Sequence, residues 1–341
     1  MNNIIFDQII SFPHPSPKEG EIIGYSRKGL PIKGFKFGHG PVSISLIGGC
    51  HADEPVGPRF LRHFVSFFAA QTDSHPSLNQ YQWWIIPHAN PDGETNNSKW
   101  TLDSNGVYNL SSYLSSYIRE LPADDMEFGF PVDDLDKGAR PENKAIYRWW
   151  QKAETSFQLH VSLHGIAFGK GPWFLIDSAW ISRCKPLIDN CTDIIKGMGY
   201  ALHDVNRKGE KGFFRIAPGF STRSDSKYLK DYFLDLGDKE TANIIRPSSM
   251  ETIRKLSGDV LTLVSNMPLF IVPESKDETE PAHFDLQKWK NRFEIWKNDG
   301  NPQRVLEEAQ QSGLKPMSVY DQMKMQFYFI DAGIERINSI K

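Results

Sequence analysis

Short apolar runs alternate with amphipathic helical stretches over most of the chain, and this alternation restricts the possible folds more than any other feature. The apolar run 42–47 precedes residues 55–70, where Phe60, Leu61 and Phe64 have helical spacing. Residues 158–165 form a second predicted strand, after another predicted helix. Strands that alternate with helices favour a sheet covered on both faces. The sequence therefore predicts a three-layer α/β/α fold, in which helices cover both faces of a central mixed, largely parallel sheet.

The chain has 341 residues, enough for one large domain or two smaller ones. Residues 94–140 are polar and turn-rich, and no low-complexity linker or internal repeat divides the sequence. The end of the chain is rich in predicted helices. We therefore predict a catalytic domain at residues 1–280 and a helical C-terminal extension at residues 281–341 that packs on it.

Composition argues against several classes of partner. Charged residues make up 24% of the chain and the net charge is −3, so no basic field attracts nucleic acid or an anionic membrane. No apolar run has the length of a membrane-spanning helix, and the first residues lack the pattern of a secretory signal. Three cysteines without C-x-x-C spacing indicate reduced thiols. We expect a cytoplasmic protein.

Metal-ligating residue types follow the predicted strands. In the segment 48–55, GGCHADEP, His51 and Glu54 lie three residues apart, after a glycine pair that lets the backbone turn sharply. His164 ends a second predicted strand, and Glu274 follows a third. Ligands bind beyond the carboxyl ends of the strands in open α/β sheets. Two histidines and a glutamate are a known ligand set of catalytic zinc, and a further carboxylate then acts as general base.

Several positions leave alternatives open. His160 is a rival to His164, because residues four apart on a strand point to the same side. Cys50 is a soft metal ligand by type, but its place beside His51 favours a core position. Glu251 and Glu278 are the alternatives to Glu274. A second metal could lie near His160, Asp53 and Asp92.

The motifs GGCHADEPVGP, NPDG, SLHG and LFIVPES occur here in this order, and the set resembles the zinc carboxypeptidases of the carboxypeptidase A-like superfamily. The resemblance spans roughly residues 20–275 and implies a carboxypeptidase A-like fold with zinc as the cofactor. It also implies that His51, Glu54 and His164 are the zinc ligands. Glu274 then serves as general base and proton shuttle in the hydrolysis of an amide bond.

The substrate-binding part of the family pattern differs in this chain. The family carries a G-V-D-x-N-R stretch, whose Asp supports the first zinc histidine and whose Asn-Arg pair binds a terminal carboxylate. The matching stretch, residues 106–111, has Tyr108 in place of the Asp and no Arg after Asn109. Lys99 is the nearest cation to the family's carbonyl-polarising Arg, so Asn109 and Lys99 are the predicted substrate-binding residues. Other candidates for the clamp and for the family's mobile tyrosine are Arg140, Arg207, Arg215, Arg223, Tyr228 and Tyr232.

We therefore expect a zinc-dependent hydrolase that acts on a peptide or an amino-acid-derived small substrate. Because the Asn-Arg pair is missing, an amidohydrolase or deacylase acting on N-acyl or side-chain-linked amino acids is an alternative. A catalytically lapsed binding protein is a third hypothesis.

Overall fold

The computed structural model describes residues 2–12, 20–101, 106–273 and 283–340. The strands are β1 Glu21–Tyr25, β2 Pro31–Phe37, β3 Val42–Gly48, β4 Tyr81–Ile86, β5 Phe157–Gly169, β6 Trp173–Ile176, β7 Arg215–Ala217, β8 Phe220–Thr222, β9 Leu261–Ile271 and β10 Lys315–Pro316. The helices are α1 Asn2–Ser11, α2 Val56–Ala69, α3 Pro76–Gln80, α4 Pro91–Thr101, α5 Leu110–Ser116, α6 Pro141–Trp150, α7 Lys185–Gly197, α8 Ser226–Asp235, α9 Lys239–Ile244, α10 Ser249–Ser257, α11 His283–Asn298, α12 Arg304–Gln311 and α13 Val319–Asn338.

The strands form one mixed sheet in the order β1-β2-β4-β3-β5-β9-β6-β8-β7, with β10 paired to β9. The central strands β4, β3, β5 and β9 run parallel to one another. Antiparallel pairs extend the sheet on both sides, through β2 beside β4 and β6 beside β9. The predicted α/β class with a mixed sheet is confirmed, and its parallel part is the centre.

Helices cover both faces of this sheet, which gives the three predicted layers. On one face, apolar side chains of α2, α7 and α13 form a core with β3, β5 and β9. On the other face, α6 and α10 pack over a second core that contains Trp84, Trp149 and Ile253. Parallel strands buried on both sides are near-continuous in apolar character. Every residue of β3 is buried, although Ser43 and Ser45 interrupt its apolar side chains.

The C-terminal helices belong to the same core as the sheet. α13 packs against α2, α7, β5 and β9. It approaches the sheet closely at Gly333, where an added Cβ would lie 2.9 Å from Leu263 and 3.2 Å from Leu159. None of the described helices is long and apolar enough to cross a lipid bilayer.

The central strands bring their carboxyl ends to one edge of the sheet. Gly48, the last residue of β3, is level with Leu163 on β5, and His164 is level with Asn266 on β9. The loop that follows β3 therefore begins beside His164. This register determines which polar side chains can meet.

Candidate metal centre

The three predicted ligands converge in the structure. The Nδ1 atom of His51 lies 2.9 Å from Oε1 of Glu54, and Nδ1 of His164 lies 2.8 Å from Oε2 of the same carboxylate. The two Nδ1 atoms are 3.2 Å apart. Glu54 and His164 are buried, and 13% of the His51 side chain is exposed. The cluster therefore sits in the protein with His51 as its more accessible member.

Local backbone geometry explains how residues so close in sequence converge. Gly49 has a φ of +67°, a left-handed conformation that glycine adopts without strain, and the chain turns there out of β3. α2 begins shortly afterwards and passes very close to β5, because an added Cβ on Gly57 would lie 2.6 Å from the carbonyl oxygen of Leu163. The small residues bring the loop that holds His51 and Glu54 against the middle of β5.

Each histidine meets a carboxylate through its outer ring nitrogen. Nε2 of His51 lies 3.4 Å from Asp125, and Nε2 of His164 lies 3.3 Å from Glu127. Nε2 of His164 is also 2.8 Å from the hydroxyl oxygen of Ser162. A carboxylate that accepts the proton of the outer nitrogen leaves the lone pair of the other nitrogen available to a metal. The two Nδ1 atoms, which face each other, are therefore the nitrogens that can bind a metal.

The charges in the cluster shift its protonation. Burial lowers the pKa of His51, but the carboxylates of Glu54 and Asp125 outweigh burial and raise this pKa well above its usual value. Burial also lowers the pKa of His164, and contacts with Glu54 and Glu127 outweigh it, so this pKa is raised as well. Burial raises the pKa of Glu54, yet the neighbouring cations hold it well below its usual range. Because a metal needs neutral imidazoles, we expect metal binding to release protons from this cluster.

The donor set fits a tetrahedral zinc ion. One nitrogen of each histidine and one oxygen of Glu54 all lie within 4.8 Å of one another. Zinc–nitrogen bonds of about 2.0–2.1 Å in a tetrahedral site put two ligand nitrogens roughly 3.3 Å apart. The two Nδ1 atoms lie 3.2 Å apart. The spacing of His51, Glu54 and His164 therefore fits zinc once the guanidinium of Arg119, which contacts Oε1 of Glu54 and Nδ1 of His51, turns away from these two atoms.

Arg119 brings a guanidinium group to the cluster, and no spacing pattern in the sequence predicted it. Its NH1 atom donates hydrogen bonds to Asp53 and Glu54, at 2.9 Å each. Its NH2 atom lies 3.0 Å from Nδ1 of His51. Because 43% of the Arg119 side chain is exposed, this group is open to solvent on one side and can meet a substrate.

The structure corrects the position of the carboxylate that supports the first histidine. We expected this group to be missing, since Tyr108 stood in its place, but Asp125 lies beside His51. Burial alone would raise the pKa of Asp125, and the neighbouring His51 holds it at about 2. The stretch Asp125-Met126-Glu127-Phe128 repeats the spacing of Asp-x-Asn-Arg, with Glu for Asn and Phe for Arg. This spacing is the sequence signal that could have located Asp125 and Glu127.

The two predicted substrate-binding residues lie on neighbouring helices. Asn109 is the N-cap of α5, and its side-chain oxygen accepts a hydrogen bond from the backbone N–H of Ser112. Lys99 is exposed in the last turn of α4. Contacts of these two residues with the ligand cluster are not seen among the described residues, and their binding role stays a prediction.

The other four arginines considered for the clamp have partners elsewhere. Arg223 is buried against Asp177 and Asp225, and Arg140 is buried against Glu142. Arg215 pairs with Asp204, and Arg207 pairs with Glu210. The two tyrosine candidates lie on α8, where Tyr228 is beside Phe214 and Tyr232 is beside Phe233. Arg119 is thus the arginine that the structure places at the cluster.

The predicted general base, Glu274, lies outside the described residues, as does its alternative Glu278. The other alternative, Glu251, has a structural role, because it forms a capping box with Ser248 at the start of α10. The residue of β9 that is level with His164 is Asn266, and β9 ends at Ile271, level with Gly169. Asn266 is 8% exposed, and its amide nitrogen has no hydrogen-bond partner among the described residues.

The remaining polar candidates surround the cluster or lie apart from it. His160 is fully buried between the hydroxyls of Ser45 and Ser249, and burial lowers its pKa to about 3. Cys50 is buried in the core, as predicted, within reach of Glu127 and His164. Asp53 pairs with Arg119. Asp92 accepts hydrogen bonds from Ser26 and Lys28.

Residues 12–168 match the family model described as Zinc carboxypeptidase. The matched region contains all three ligand positions, His51, Glu54 and His164. The resemblance drawn from the sequence motifs is therefore confirmed, and the match supports a metallohydrolase with zinc as its metal. No curated protein matches the chain.

Several solved structures are similar at low identity. Bovine thrombin-activatable fibrinolysis inhibitor, in complex with tick carboxypeptidase inhibitor, is 13% identical over 98% of this chain and 97% of its own, with a TM-score of 0.47. Carboxypeptidase A from Helicoverpa armigera is 9% identical over 94% of this chain and 68% of its own, with a TM-score of 0.47. Murein-tripeptide amidase MpaA from Escherichia coli O157 is 15% identical over 81% of this chain and 93% of its own, with a TM-score of 0.36. At these identities no substrate is assigned to this chain.

Proposed function

We propose that this chain is a zinc-dependent hydrolase that cleaves an amide bond in a peptide or an amino-acid-derived substrate. The observation that carries the proposal is the convergence of His51, Glu54 and His164, with both Nδ1 atoms turned toward the carboxylate. Zinc held there supplies a Lewis acid that activates water and polarises a carbonyl group. The open side of the cluster, where Arg119 is half exposed, is the place for the substrate.

Arg119 is the cation that we propose to stabilise negative charge on the substrate. Donors placed where charge develops contribute strongly to catalysis when they are held in position beforehand. The hydrogen bonds from Arg119 to Asp53 and Glu54 hold the guanidinium beside the ligand atoms in this way. Lys99 and Asn109, which were predicted from the sequence to bind substrate, remain proposed substrate contacts.

A specific observation favours the amidohydrolase alternative. When Asp125, which lies beside His51, is matched to the family's Asp, Glu127 and Phe128 occupy the positions of the Asn-Arg pair that binds a terminal carboxylate. Glu127 is buried and negatively charged by its contacts, and Phe128 has no charge. An uncharged group does not replace a bidentate Arg–carboxylate contact. The leaving side of the substrate is therefore proposed to lack a free terminal carboxylate.

Peptides with free and amidated C-termini distinguish the two substrate classes. We expect kcat/KM to be the same or higher for the amidated member of each matched pair, because no arginine follows Glu127. The measurement is initial rates on N-acylated dipeptides, with zinc-free protein as the control. A large loss of rate on amidation would show that the chain is a carboxypeptidase in the ordinary sense.

We also propose Glu274 as the general base, by the family resemblance. Replacing it with glutamine should lower kcat by about 10²–10⁴-fold, because glutamine cannot accept the proton. Zinc content should not change, since Glu274 is not among the three ligands. Glu278→Gln is the matched control and should keep the wild-type rate. Equal rates in Glu274→Gln and wild type would move the base to one of the carboxylates beside the cluster.

We propose a reducing, cytoplasmic setting for the protein. Its three cysteines, Cys50, Cys184 and Cys191, are all free and buried. Buried thiols that do not pair are compatible with a reducing compartment.

A further inference from the structure

A second carboxylate at the metal centre, Glu127, enters the proposed function only as the residue at the family's clamp position. It is 4% exposed, and its Oε2 atom lies 3.3 Å from the outer nitrogen, Nε2, of His164. The hydroxyl oxygen of Ser162 lies beside both atoms, 2.8 Å from Nε2 and 3.5 Å from Oε2. The outer side of His164 is therefore enclosed by a charged group and a hydroxyl.

The other oxygen of Glu127 is held at the start of α10. Oε1 accepts hydrogen bonds from the backbone N–H of Ser249, at 2.9 Å, and from its hydroxyl, at 2.7 Å. The same hydroxyl lies 3.3 Å from Nε2 of His160. A buried carboxylate is costly unless it is well hydrogen-bonded, and here both oxygens have partners. One oxygen of Glu127 is thus held by the start of α10, and the other lies against His164.

We infer that Glu127 is a positioning residue for His164. It accepts the proton of Nε2, which fixes the ring and keeps the lone pair of Nδ1 directed at His51 and Glu54. Such outer carboxylates make a histidine a better ligand and prevent it from rotating away. The inference rests on the proposed metal site, and it extends that site through Ser249 to the first turn of α10.

Two other roles for Glu127 make different predictions. If Glu127 only stabilises the start of α10, its loss lowers the melting temperature and leaves the zinc affinity unchanged. If Cys50, Glu127 and His164, whose ligand atoms lie within 4.8 Å of one another, hold a second ion, the chain binds two ions. Metal affinity and stoichiometry therefore separate the three roles.

The test is zinc affinity, measured by competition with a chromophoric chelator, in the variants Glu127→Gln and Glu127→Ala. We expect the zinc Kd to rise by about 10–100-fold, and more in the alanine variant, because the outer partner of His164 is weakened or lost. The visible absorption of the Co²⁺-loaded protein should change as well, since the ligand geometry changes. Glu127→Gln has nearly the same shape as the wild type, so it keeps the test valid where Glu127→Ala does not fold.

The matched control is Glu142→Gln. Glu142 is a fully buried carboxylate that accepts hydrogen bonds from Arg140 and from the backbone N–H of Arg27. This variant should lose stability but keep the wild-type zinc Kd. An unchanged zinc Kd in Glu127→Gln overturns the inference. The inference also fails if the wild-type chain binds two ions and each of the variants Glu127→Gln and Cys50→Ala loses one of them. A wild-type chain that binds no zinc overturns both the inference and the proposed function, whereas an unchanged Kd in Glu127→Gln overturns the inference alone.

Discussion

The His51→Ala variant is expected to contain no zinc after dialysis, whereas the wild-type chain keeps about one ion. The reason is geometric, because Nδ1 of His51 is one of three ligand atoms that already face one another, 3.2 Å from Nδ1 of His164. The loss should exceed the roughly 10–100-fold effect of an outer partner, since a ligand itself is removed. Metal analysis of protein purified without a histidine tag measures this result.

His63→Ala is the matched control for this experiment. His63 lies on α2, and its Nδ1 contacts the backbone oxygen of Phe12, away from the ligand cluster. The control should keep its zinc and its hydrolytic rate. In the wild type, a strong chelator should abolish hydrolysis and added zinc should restore it. Wild-type protein that has no zinc and does not take it up, or a His51→Ala variant that retains it, would contradict the metal site.

The Arg119→Ala variant is expected to lose about 10²–10³-fold in kcat/KM, the effect of removing one preorganised donor to a developing negative charge. Arg119 contacts Asp53, Glu54 and His51, and 43% of its side chain is exposed. Rates should be measured at saturating zinc, so that a change in metal affinity does not affect the comparison.

Two control variants accompany this measurement. Arg119→Lys keeps the charge but not the planar, forked donor, so its rate should fall between those of wild type and alanine. Arg27 is similarly exposed, at 47%, and also pairs with a carboxylate, Asp124, so Arg27→Ala should keep the wild-type rate. Wild-type kinetics in Arg119→Ala would show that this guanidinium only balances the charges of Asp53 and Glu54.

The sequence predicted the central part of the fold because its signals are local. The apolar run of β3 and the helical spacing of α2 each depend on a few neighbouring residues. Residues 94–140 gave no such signal, yet most of α4, which begins at Pro91, and all of α5 lie there. The start of α4 is fixed by Asn90, whose side-chain oxygen accepts a hydrogen bond from the backbone N–H of Gly93. The NPDG motif, which favours a turn, opens a helix here.

The metal ligands were within reach of the sequence for a similar reason. His51 and Glu54 share one loop, and His164 ends a predicted strand, so the residue types and the predicted strands together indicated a site, although β5 continues to Gly169. The carboxylates behind the histidines were not within reach in the same way. Asp125 and Glu127 come from an irregular segment, and their contacts depend on where that segment crosses the sheet.

The sequence by itself determined the α/β class, the polar loop that follows β3 and the three candidate ligands. Only the tertiary structure decided which charges surround these ligands. It brought Arg119 to the cluster, placed Asp125 and Glu127 behind the two histidines, and left Asn266 level with His164 on β9. The physical reason is that periodicity and turn chemistry are local properties, whereas contacts between distant segments are set by the register of the strands and by the paths of the loops.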